Sequence, residues 1–268
     1  MAVARRAPPF RHQSGRSPGS LAPVRGVARP RARGDLIPVR ERLAEDVLEA
    51  NRALAKHGLA PLTWGNASAI DRDEGLVVIK PSGVGYDDMT VDDMVVVDLD
   101  GNVVGGERRP STDAPTHLVL YRAFDEIGAV VHTHSTWGVA WAQAQCEIPL
   151  LGTTHADLCA YPIPVTRPLT EEEIDSGYEA ATGTTLVEVI DEVGGPLELP
   201  CALVRGHAPF CWGKSPGTAV EVAVTLEEVA RMALLTKLLA PNAPPLQGEL
   251  RDKHHERKHG PQAYYGQP

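Results

Sequence analysis

Two hydrophobic rhythms alternate along the chain. Residues 39–57 (VRERLAEDVLEANRALAKH) place Leu43, Val47 and Leu54 on one helical face, with Gly58 positioned to cap the end. The runs LVVIK (76–80) and MVVVDLDGNVV (94–104) have the β-branched density of strands, and the second carries an Asp-Gly-Asn turn. A helix is predicted over 114–126, a buried strand (IGAVVHTH) over 127–134 and a further helix over 136–145. Thr170 and Glu173 have capping-box spacing and open a short helix. CALVRGH (201–207) reads as another buried strand. Ser215 as N-cap and Pro216 at the first helical position start a long helix that runs to Ala240. Strands flanked by helices predict a layered α/β domain, and no internal repeat is present.

The first 37 residues break this rhythm. They are rich in Arg, Pro, Gly and Ala, and residues 1–34 hold eight arginines and no acid. Such a stretch buries too little apolar surface to offset its ordering entropy, so residues 1–37 are expected to be a disordered extension. A transit peptide and a nucleic-acid arm are the functional alternatives to an extension without a role. Arg5-Arg6 fits an export signal, but Pro8 and Pro9 stand where its apolar run should be. Residues 38–268 are then expected to form a single domain.

Charge and composition narrow the function classes. Without the eight arginines, 18 basic residues face 35 acidic ones, a net of −17. A body that acidic does not bind nucleic acid through a broad basic face, so any phosphate must be held locally. No run of ~18 apolar residues exists to span a membrane. Cys146, Cys159, Cys201 and Cys211 form no C-x-x-C pair, so neither a structural zinc framework nor a thioredoxin-like site is indicated; with no apolar signal-peptide run after the early arginines, a reduced, cytoplasmic compartment is expected.

The candidate chemistry lies at the ends of apolar runs. His132 and His134 flank Thr133, and in a strand such i and i+2 residues share a face roughly 6.6 Å apart. Two imidazoles so placed can bind one metal, or can be two satisfied polar residues at a strand end. Asp113, at the expected start of a helix, and His207, at the end of CALVRGH, would complete a site for a borderline divalent ion, zinc by preference. His117 reads as a packing or supporting residue, His155 as orienting its loop, and His254, His255 and His259 as part of a solvated charged face. Three polar loops offer Gly65-Asn66, Lys80 with Ser82-Gly83, and Ser111-Thr112. Small residues admit backbone N–H groups to an anion, hydroxyls add donors, and a helix start adds a positive dipole end. Each loop alone is as easily a plain turn. None is a nucleotide fingerprint.

TWGNASAID, IKPSGVGYDDMTVDDMVVVD, PSTDAPTH, VVHTHS, GTTHADLCAYPIP, RGHAPFCWGK and KHGPQAYYGQ follow one another in this order. Together they closely resemble the motifs of the class II aldolase/adducin family, and within it those of its sugar-phosphate epimerase subfamily. The resemblance runs from about residue 40 to the C-terminus. It implies a three-layer α/β/α catalytic domain around a central, mostly antiparallel sheet. It also implies a homotetramer with active sites between subunits. Asp113, His132, His134 and His207 would hold Zn2+, with Mn2+ or another divalent ion as the alternative. Gly65, Asn66, Lys80, Ser82, Gly83, Ser111 and Thr112 would hold a phosphate. The family has two serines where this chain has Ser111-Thr112, a change that keeps the hydroxyl.

The implied reaction is epimerisation at C4 of a ketopentose phosphate, L-ribulose 5-phosphate to D-xylulose 5-phosphate, by retro-aldol cleavage of C3–C4. It belongs to carbohydrate metabolism, with arabinose catabolism as the implied setting. Asp157 and Tyr265, the tyrosine from a neighbouring subunit, would be the proton carriers. Glu179, His254 and Arg257 match further positions near the substrate. The alternatives are an aldolase that releases its aldehyde and a non-catalytic adducin-like binding protein. The family's aldolases use glutamate as acid/base where this chain has Asp113. Adducin-like members are expected to lack the metal set.

Overall fold

A single antiparallel sheet organises the chain. The computed structural model describes residues 33–266, and side-chain surroundings from residue 41. The strands are β1 (Asn66–Asp71), β2 (Leu76–Ile79), β3 (Val95–Asp98), β4 (Val103–Gly105), β5 (Ala129–His132), β6 (Cys201–Leu203) and β7 (Pro209–Gly213). Their order is β4-β3-β2-β1-β5-β7-β6, and every pairing is antiparallel. The helices are α1 (Arg33–Lys56), α2 (Ala114–Ala123), α3 (Thr136–Ala144), α4 (Thr153–Leu158), α5 (Glu171–Val193), α6 (Pro216–Leu239) and α7 (Gly248–His259).

The sheet is buried on both faces, which explains its uninterrupted apolar strands. Side chains alternate across a strand. Ala67, Ala69, Val78, Val131 and Cys211 therefore join a core with α1, α3, α4 and α6. Ile70, Val77, Ile79, Val130 and Trp212 join a second core with α2 and α5. The result is the three-layer α/β/α arrangement expected, with the sheet antiparallel throughout. All four cysteines are free, and Cys159, Cys201 and Cys211 are buried. No helix among the described residues is long and apolar enough to cross a membrane.

Several boundaries differ from the sequence reading. The expectation for residues 1–32 lies outside the described residues, and α1 begins at Arg33 rather than at residue 39. The segment 94–104 does carry the expected Asp-Gly-Asn turn, with β3 and β4 paired across Gly101 at φ +90°. CALVRGH is not one strand. β6 ends at Leu203, and the chain turns over 204–208 before β7. The helix that starts after Thr170 is short up to a break at Gly177, and a second helical segment continues from there to Val193. Its capping box is present, with Thr170 Oγ1 accepting from Glu173 N–H at 3.2 Å and Glu173 accepting from Thr170 N–H at 2.8 Å. Helices α4 and α7, read as loop and charged tail, pack on each other. No residue of α7 is fully buried, so it carries no apolar period to betray it.

Candidate active site

The ends of β1, β2 and β5 and the β6–β7 turn open onto one cleft of about 420 Å³. Gly65, Asn66, Lys80, Ser82, Gly83, Ser111, Thr112, Asp113, His132, His134, Glu179 and His207 all line it. Backbone bonds lace its loops together. Ser82 N–H donates to Arg109 C=O at 2.9 Å, and Ser111 N–H donates to Lys80 C=O at 2.9 Å. Gly65 has φ +78°, and a Cβ there would lie 2.7 Å from His132 C=O, so only glycine fits this close approach. Tyr86 Oη donates to the carbonyls of Trp64 and Gly65, at 2.7 and 2.9 Å, and fixes the same loop.

Three histidines converge at the centre. One ring nitrogen from each of His132, His134 and His207 falls within a group spanning no more than 4.8 Å. His132 Nε2 and His134 Nε2 are 3.1 Å apart. Tetrahedral zinc with nitrogens at ~2.0–2.1 Å sets ligand pairs about 3.3 Å apart, so the spacing fits a shared ion. His132 Nδ1 lies 3.0 Å from Pro209 C=O. That partner assigns the proton to Nδ1 and leaves the Nε2 lone pair free. Phe210 stacks on the His132 ring at 4.2 Å, Tyr178 Oη reaches His207 Nδ1 at 3.3 Å, and Trp64 leans on His134 at 6.0 Å. Burial, with the neighbouring histidines adding, pulls His132 down to about 3. Burial also lowers His134 and His207. All three are therefore neutral donors at neutral pH, as metal binding requires. His134 lies beyond the end of β5, and His207 sits in a turn rather than at a strand end.

Asp113 lies in the same cleft but outside the three-histidine group. Its Oδ2 accepts from Asn66 Nδ2 at 2.6 Å, and Asn66 Nδ2 also donates to Ser111 Oγ at 3.0 Å. Burial opposes the Asp113 charge. His132, His117 and the Asn66 hydrogen bond outweigh it and hold the carboxyl below its usual range. Asp113 precedes α2 without capping it. Lys80 is the buried cation of the cleft, with Nζ near the carbonyls of Thr63 and Pro81 and over the Tyr86 ring. Burial lowers its pKa, and Asp113 works the other way. Asn66 Oδ1 is buried and takes no hydrogen bond.

The remaining sequence-predicted residues gather elsewhere. Asp157 on α4 accepts from Arg257 Nε at 2.9 Å and Nη2 at 2.5 Å, and from His254 Nδ1 at 3.1 Å. Arg257 and Lys258 lie over the Tyr265 ring at 4.9 and 4.5 Å. Burial opposes the Asp157 charge, but Arg257 and His254 hold its carboxyl below the usual range. Asp157, His254, Arg257 and Tyr265 form one cluster, and none lines the cleft of its own chain. His155 lies in α4, bonded to Tyr161 C=O, and His117 Nδ1 meets Ser68 Oγ at 2.7 Å. Tyr178, Phe210, Trp64 and Tyr86 were missed by the sequence reading. The alternating apolar run PFCWG was the available signal for Phe210.

The fold and the cleft define a class. The profile of the class II aldolase and adducin N-terminal domain matches residues 45–234. The chain belongs to the class II aldolase/adducin family. Proteins named L-ribulose-5-phosphate 4-epimerase UlaF, from Salmonella paratyphi A and Salmonella typhi, are each 54% identical over 227 residues, covering 85% of this chain and 99% of theirs. Among solved structures, an L-fuculose 1-phosphate aldolase superposes with a TM-score of 0.68 at 24% identity, over 81% of this chain and 95% of that one. The L-fuculose-1-phosphate aldolase from Thermus thermophilus gives 0.60 at 26% identity, over 76% and 100%.

Proposed function

We propose that this chain is a metal-dependent epimerase that interconverts L-ribulose 5-phosphate and D-xylulose 5-phosphate. One observation carries the reading. A single cleft joins three neutral histidines, spaced to share an ion, to three small-residue loops and a buried lysine suited to a phosphate. The 54% identity to proteins named for this epimerisation supports the substrate.

The chemistry follows from the sugar. Its ketone is at C2, so the hydrogen on C4 is not acidic and deprotonation cannot invert that centre. Cleaving C3–C4 gives the enediolate of dihydroxyacetone and glycolaldehyde phosphate. The aldehyde turns over, and the bond reforms on its other face.

His132, His134 and His207, with Asp113 beside them, would hold the ion, and the nitrogen-rich donor set favours zinc. When bound, the ion supplies Lewis acidity to the ketose oxygens. Gly65, Asn66, Ser82, Gly83, Ser111, Thr112 and Lys80 bind the phosphate and keep the aldehyde from escaping while it turns. Asp157 and Tyr265 move the proton at the C4 oxygen, one on each face. Both lie outside the cleft of their own chain, so they serve the cleft of a neighbouring subunit in a homotetramer. His254 and Arg257 flank the substrate from that side and Glu179 from the cleft's own. Cytoplasmic arabinose catabolism, or an ascorbate-type route using the same substrate, is the setting this implies.

The test is a product assay. Zinc-loaded protein is mixed with L-ribulose 5-phosphate, and D-xylulose 5-phosphate, dihydroxyacetone and glycolaldehyde phosphate are quantified together. Xylulose phosphate without free fragments is expected. Fragments as the main product would make the chain an aldolase. Bound zinc without turnover would refute the assigned sugar.

A further inference from the structure

We infer that Glu227 of α6 is a positioning residue for the three-histidine group, acting through α3 without touching substrate or metal. The inference rests on the metal reading of the cleft. Helix α3 starts two residues after His134, and its N-cap Ser135 makes no side-chain capping bond. Its first N–H groups need another acceptor. Glu227 supplies it, with Oε1 accepting from Trp137 N–H and Oε2 from Gly138 N–H, each at 2.9 Å. A carboxylate at that end also meets the positive pole of the helix.

The same helix is the reference for the other two histidines. A Cβ on Gly138 would lie 2.5 Å from the Pro209 ring, so α3 sits directly against that residue. Pro209 C=O accepts from His132 Nδ1 at 3.0 Å and from Thr133 N–H at 3.3 Å. At the other end of α3, Ala142 C=O accepts from Gly206 N–H at 2.8 Å, in the turn that carries His207. Arg205 of that turn donates to Gln145 Oε1 at 2.6 Å. A shift of α3 therefore moves His134 through the chain, His132 through Pro209 and His207 through its turn. Histidine ligands bind tightly only when their supports hold ring orientation.

A control separates positioning from general stability. Arg72, just beyond the far end of β1, donates to the carbonyls of Tyr121, Phe124 and Ile127 at 2.7, 2.6 and 2.8 Å, ties that involve neither α3 nor the histidine turn. Zinc affinity of the full chain is measured by competition with a chromophoric chelator, and the melting temperature of the metal-free chain is recorded beside it. Glu227→Ala is expected to weaken zinc binding about 10–100-fold. Arg72→Ala is expected to lower the melting temperature yet keep the zinc Kd within about twofold, because its bonds hold neither α3 nor the histidine turn. Glu227→Gln keeps one of the two acceptor oxygens and should weaken zinc binding by about threefold or more, but less than Glu227→Ala. If Glu227→Ala does not fold, Glu227→Gln carries the test, with a weakening of about threefold or more expected. A wild-type Kd in the folded Glu227 variants, or an equal loss in Arg72→Ala, would overturn the inference alone. Failure of the wild-type chain to bind zinc would overturn the metal reading and this inference with it.

Discussion

The histidine cleft and the Asp157 cluster hold similar residue types but are built in opposite ways. In the cleft, burial keeps three histidines neutral, and acceptors such as Asn66 Oδ1 remain unpartnered. In the cluster, burial is outweighed: Asp157 takes bonds from Arg257 and His254 and stays an anion. Tyr265 is 59% exposed beneath two cations. The cleft brings three histidine nitrogens of one chain close enough to share an ion. The cluster satisfies itself within the chain, and in the proposed function it acts only on a neighbouring subunit's substrate.

The largest effects should separate the two regions. His134→Ala is expected to abolish zinc binding and lower kcat/KM by at least about 10³-fold, since the metal and its chemistry leave together. Tyr265→Phe is expected to lower kcat by about 10²–10⁴-fold, the range for a lost acid–base group, with zinc stoichiometry unchanged. Metal analysis beside steady-state kinetics reads both, and zinc loss in Tyr265→Phe would collapse the distinction. Gly65→Ala acts on the cleft alone. Its Cβ would press on His132 C=O and its φ is +78°. A loss of about 1–3 kcal/mol in urea unfolding, with a raised KM, is expected.

A last effect, on stability and not on the site, comes from pH. Burial lowers His117 and His155 to about 4, against 6.5 in the unfolded chain. Each is neutral when folded, so as pH falls below 6.5 the unfolded chain takes up protons that the folded chain refuses. Stability is therefore full above pH 7 and is lost between about 6.5 and 4, by about 2 kcal/mol per histidine at pH 5. Urea titrations of the metal-free chain at pH 7 and pH 5 check this, and equal stabilities would contradict it.

The cleft residues were legible because their types speak locally. Two histidines one residue apart, a carboxylate before a helix and three small polar loops need no tertiary information to stand out. What escaped depends on contacts between distant segments. His207 belongs to a turn because Val204 N–H closes on Ala208 C=O and the chain doubles back into β7. Phe210 and Tyr178 reach histidines only once that turn and α5 are in place. Helix α5 breaks at Gly177, just before Tyr178 and Glu179, which masks its length as an apolar pattern. Glu227 looks like one more exposed acid on α6 until α3 lies against it.

The most direct test of a site shared between subunits is to co-express His134→Ala with Tyr265→Phe chains and measure epimerase turnover. Each parent oligomer is expected to be inactive. If one chain's cleft works with its neighbour's Tyr265, random mixing restores about one site in four. Mixed oligomers no more active than their parents would place the tyrosine and the histidines in the same chain's site and contradict the account.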